Sequence, residues 1–133
     1  MGGASTELRK RFISHNVHGM NDEKEQEILK SLSSNSGQQI SGYCASETWE
    51  GVQGPFEDKA RGYTIFKVPG WKKNQGKKGR LSGGFALFLD KETTEAWNRT
   101  GMKTITDCGP RMFAVRLKYP GSRRTLFWVN TSV

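Results

Sequence analysis

The chain has 133 residues, 34% hydrophobic and 26% charged, with a net charge of +8 at neutral pH. That length carries one domain with its own core and excludes two, while seven Phe, four Trp and three Tyr exclude a disordered tail. Two cysteines, Cys44 and Cys108, exclude a disulfide framework and have no zinc-ligand spacing. No apolar run approaches a membrane span and no hydrophobic leader opens the chain, so an intracellular setting is expected. The basic balance points to a polyanionic partner, nucleic acid or an anionic surface, with a merely basic soluble surface as the alternative.

Residues 1–11 read as a loose tail, and 12–133 as a single unit. Phe12 to Val17 predicts a first strand ending at His18-Gly19. Asp22 and Glu25 form a helix-start pair; Ile28, Leu29 and Leu32 then make one apolar helical face. Ile40 to Ala45 predicts a second strand. A strand–helix–strand crossover makes the two strands parallel, with both C-terminal ends at one rim, where α/β sheets gather ligands.

Beyond Trp49 the pattern turns to period two and hairpins. Tyr63–Val68 and Phe85–Leu89 predict strands joined by a basic loop that Ser82-Gly83-Gly84 closes, and Thr104–Thr106 predicts a short strand. Met112–Lys118 and Thr125–Val129 predict a hairpin across Pro120-Gly121-Ser122-Arg123. The class is therefore α/β, one crossover unit followed by antiparallel hairpins. Strands bearing Phe113, Val115, Leu126 and Trp128 are expected to expose apolar faces and to favour self-association.

Three features could carry chemistry. Asn16 ends the first strand, where a carboxamide can hold a phosphate oxygen; from the local sequence alone, a turn-capping Asn before Gly19 is the favoured explanation. Glu47 ends the second strand, and a carboxylate there wants a partner, such as magnesium with its oxygen ligands; a surface glutamate or a helix-start residue is the plainer alternative. Lys72, Lys73, Lys77, Lys78 and Arg80, with Trp71 beside them, form the densest basic segment, suited to a phosphate backbone with a stacking ring or to a solvated loop. His15 and His18 lie on opposite faces of a strand and do not share a metal.

In order, the segments Ser14-His15-Asn16-Val17-His18-Gly19, Ser46-Glu47-Thr48-Trp49, Gly62–Phe66 with Gly79–Phe88, and Arg111–Leu117 with Phe127-Trp128-Val129-Asn130 resemble the endonuclease/exonuclease/phosphatase superfamily. The likeness is greatest to the apurinic-type endonuclease domain of non-LTR retrotransposons, and it runs from about Phe12 to Asn130. It implies the N-terminal half of a DNase I-like four-layer α/β sandwich, with Asn16 orienting phosphate, Glu47 as the first magnesium ligand and DNA as partner. The chain departs from the family at Ser46, where the family has glutamine. The family's later tyrosine, Asp-x-Asn and Asp-His motifs have no counterpart, so the chain alone is expected not to cleave. Two other functions fit the same residues: a non-enzymatic nucleic-acid-binding module, and half of a related phosphatase acting on a phosphoinositide or sphingolipid.

Overall fold

A computed structural model describes residues 10–32, 40–51, 54–58, 62–71, 81–102, 104–105 and 112–131. Strand β1 (Phe12–Asn16) runs into helix α1 (Asp22–Leu32) and then β2 (Gly42–Ser46), with β1 and β2 parallel and paired from Phe12↔Gly42 to Asn16↔Ser46. The crossover forms as its pattern requires: Ile28, Leu29 and Leu32 are the buried residues of α1. The helix starts one residue earlier than the Asp22–Glu25 pair suggests. Asn21 is its cap, its side chain accepting from the Lys24 N–H at 2.8 Å, while Asp22 supplies negative charge in the first turn.

Strands β3 (Gly54–Asp58), β4 (Tyr63–Val68) and β5 (Phe85–Leu89) complete a five-stranded sheet in the order β1-β2-β5-β4-β3. Helix α2 (Lys91–Asn98) follows, and β6 (Thr104–Ile105), β7 (Met112–Leu117) and β8 (Leu126–Thr131) form a second, antiparallel sheet. The fold is thus mixed α/β with two sheets and two helices. The pattern singled out neither β3 nor α2. Pro55 weakens the strand signal of β3, which tolerates it as the sheet's edge. Two threonines weaken the helix signal of α2, yet the Asp90 side chain caps it by accepting from the Thr93 N–H.

The strand β5 shows why the sheets sit where they do. All five of its residues are buried, because both faces of its sheet are covered. Phe85, Leu87 and Leu89 share a core with Phe113, Val115, Leu117 and Trp128 of the second sheet and with Ala96 and Trp97 of α2. Ala86 and Phe88 pack instead with Ile28, Leu29 and Leu32 of α1. Each such side chain, fully removed from water, contributes about 1.5–3 kcal/mol.

The expected exposure of the C-terminal strands is corrected by this packing. Phe113 and Val115 are buried, and Trp128 is only 9% exposed, because all three face the larger sheet. The alternating residues of β8 point the other way, Phe127 and Val129 being 52% and 54% exposed, while Leu126, in phase with Trp128, is 39% exposed as expected.

Candidate phosphate site at the β1–β2 rim

The β1–β2 register decides the geometry. Asn16 stands opposite Ser46, so Glu47 leaves the same rim one residue further on. Both strands break there by the same device. His18 has φ +49°, Glu47 φ +56° and Trp49 φ +60°, all left-handed conformations that non-glycine residues adopt at a cost. Backbone bonds between the two turns hold them: Val17 N–H to Ser46 O at 3.0 Å, Gly19 N–H to Glu47 O at 2.8 Å and Met20 N–H to Thr48 O at 2.9 Å. The Lys24 ammonium adds bonds to the carbonyls of Val17 and Gly19. Strain held in place by surrounding bonds is a mark of functional turns.

Each predicted residue is fixed by neighbours distant in sequence or by its own turn. The Asn16 Oδ1 accepts from the His18 N–H at 3.0 Å, so the turn-capping role is real. Because that N–H can only donate, it sets the orientation of the amide and leaves the NH2 as a donor. The Glu47 Oε2 accepts from the Trp49 indole N–H at 2.9 Å and from the Gly83 N–H at 3.1 Å. Glu47 is therefore a built-in acceptor on the rim, not a solvated surface residue.

Trp71 and Ser82 face each other across an isolated bridge with two backbone bonds. Gly83 (φ +70°) lies against the Trp71 ring so closely that an added Cβ would fall 1.9 Å from it. Trp71 thus lies against the same Gly83 whose N–H donates to Glu47. Lys72, Lys73, Lys77, Lys78 and Arg80 lie outside the described residues.

A small cleft of about 150 Å³ opens between the two sheets below this rim, with Ser14, Asn16, Ser46 and Asn130 among its walls. Ser14 Oγ donates to Asn130 Oδ1 at 2.6 Å, joining β1 to β8. Asn130 is a residue that sequence reasoning did not single out as functional. Its only sequence signal is a polar side chain in phase with Trp128 on the inward face of an apolar strand. Cys44, at the base of the cleft, is 1% exposed, and burial pushes its thiol well above the usual range, which makes it inert packing. His15 also lines the cleft and has its Nδ1 2.9 Å from the Tyr43 phenol oxygen.

Magnesium asks for about six oxygen ligands in tight octahedral order. Among the described residues no group of three or more His, Cys, Asp or Glu side chains could hold a metal ion. Glu47 with one oxygen already taken by two N–H donors, and Asn16 with its oxygen bonded to His18, do not by themselves fit such an ion. Among the described residues, too, no helix is long and apolar enough to cross a membrane. No protein-family model, curated protein or solved structure matches the chain.

Proposed function

We propose that this chain supplies the phosphate-orienting part of a phosphodiester-cleaving endonuclease of the endonuclease/exonuclease/phosphatase type, with a DNase I-like arrangement of its two sheets. The single observation that supports the reading is the parallel Asn16↔Ser46 pairing, which brings a donor amide and a carboxylate to one strained rim. The Asn16 NH2 donates to a phosphate oxygen. Glu47, held by Trp49 and Gly83, offers negative charge beside it for a cation or an attacking water. Magnesium, which the resemblance implies, would need carboxylates beyond Glu47, so the residues described here orient a phosphate without activating a nucleophile.

The basic residues that lie between Trp71 and Ser82 in the sequence, Lys72, Lys73, Lys77, Lys78 and Arg80, suit a nucleic-acid backbone by their charge. The test is a pair of measurements on the 133-residue chain. In plasmid nicking with magnesium, the chain should show no cleavage; metal-dependent nicking abolished by Glu47→Gln would contradict its expected inactivity. In duplex binding, affinity should fall steeply with salt, and Asn16→Ala should weaken it about tenfold, or ~1.4 kcal/mol. No salt-dependent binding at all would overturn the reading.

A further inference from the structure

The inner face of β1 meets β8 as a ladder. Phe12 packs against Trp128, with ring centroids 4.9 Å apart, and two residues on Ser14 bonds to Asn130. A further two residues along, Asn16 stands at the rim. The ladder changes from apolar to polar as it approaches the cleft. At the polar end one atom is left over: the Asn130 side chain is 2% exposed, and its Nδ2 is buried with no hydrogen-bond partner among the described residues. A buried amide with its oxygen bonded and its NH2 orphaned is a poor device for joining two sheets, since a desolvated donor opposes folding unless something accepts from it.

We propose that Asn130 is a second phosphate-binding residue, whose NH2 and that of Asn16 donate to two oxygens of one phosphate group seated in the cleft between the sheets. This rests on the reading of the rim as a phosphate site and extends it to the second sheet. Three observations favour an oxyanion over other occupants. Both amides have their oxygens engaged, Asn16 by the His18 N–H and Asn130 by the Ser14 hydroxyl, so both present hydrogens. Among the described residues no carboxylate lines the cleft to repel a negative charge. Its roughly 150 Å³ is enough for a small oxyanion. Because Asn130 belongs to β8 and Asn16 to β1, the bound group bridges the two sheets and should stiffen their contact.

The experiment follows the side-chain NH2 resonances of the ¹⁵N-labelled full chain during titration with inorganic phosphate. A parallel titration uses a short DNA duplex, to separate free phosphate from a backbone diester. Asn130→Asp assigns the Asn130 signal by its loss and replaces the donor by an acceptor of the same shape, keeping the Ser14 bond. The expected result is saturable shifts of both the Asn16 and Asn130 NH2 pairs, with affinity at least tenfold weaker in Asn130→Asp. If that variant does not fold, the wild-type titration alone decides. Shifts at Asn16 with Asn130 unmoved would overturn this proposal and leave the phosphate reading of the rim standing; no shift at either would overturn both.

Discussion

At the residue scale the rim is held by acceptors and donors with little freedom to move. Glu47 occupies a left-handed conformation and accepts from the Trp49 indole and Gly83 N–H groups. Glu47→Ala strands the Gly83 and Trp49 donors and should cost about 1–3 kcal/mol in urea unfolding. Glu47→Gln keeps an acceptor oxygen of the same reach and should stay within about 1 kcal/mol of the parent. Equal losses for both variants would show that the carboxylate's charge, and not its hydrogen bonds, matters to the fold. Gly83→Ala is a harsher change, because φ +70° and the Trp71 ring both exclude a Cβ; it should lower the melting temperature and loosen Glu47 together. The position of Asn16 and Glu47 at one rim was legible because the strand, helix and strand that carry them show their expected periods. Their partners were not. Gly83 lies 36 positions from Glu47, and Asn130 lies 116 from Ser14, contacts that no local pattern encodes.

At the element scale the clearest signals were the crossover and the hairpins, whose periods agree with their burial. β1, α1 and β2 follow the expected order, and Ile28, Leu29 and Leu32 are buried on α1. α2 escaped because its inward face carries Thr93 and Thr94 beside Ala96 and Trp97, a polar-looking stripe that is nevertheless buried. Its cap gives a test with a pH sign. Asp90→Ala removes the bond to the Thr93 N–H and should cost about 1 kcal/mol. Burial pushes the Asp90 carboxyl above its ordinary 3.8, against the pull of its Thr93 bonds and of Lys10. A carboxylate raised in this way subtracts stability as pH climbs from its unfolded value through the folded one. Asp90→Asn keeps a capping oxygen without the charge. It should therefore gain on the parent at pH 7 and lose that advantage in acid below the ordinary aspartate value, as thermal melts at the two pH values would show. An advantage that persists unchanged in acid would contradict the desolvation argument.

At the scale of the whole molecule, two cores are stacked on the five-stranded sheet, one beneath α1 and one beneath the second sheet. Phe113 ties the second sheet to the first through Phe85, with ring centroids 4.8 Å apart, so Phe113→Ala should cost about 3–5 kcal/mol. Against a typical net stability of ~5–15 kcal/mol, that loss should leave the chain close to unfolding. Phe127, half exposed under the Arg116 guanidinium 5.4 Å away, tests a different property. It and Val129 lie on the outward face of a strand at the sheet's margin, where an apolar stretch invites another chain. Sedimentation should show concentration-dependent association that Phe127→Lys reduces without lowering the melting temperature. The basic segment bearing Lys72 to Arg80 was legible as charge and not as geometry, since glycine and lysine set no period.

The functional account depends on β1 and β2 running side by side in parallel, with the amide of Val17 donating to the Ser46 carbonyl. In that geometry the His15 amide proton lies close to the Hα of its register partner Ala45. A nuclear Overhauser spectrum of the labelled chain should therefore show a strong cross-peak between them, beside a weaker series along Ile13 to Asn16. A His15 amide in contact only with its own strand, or with a partner strand running the opposite way, would separate Asn16 from Glu47 and contradict the phosphate site.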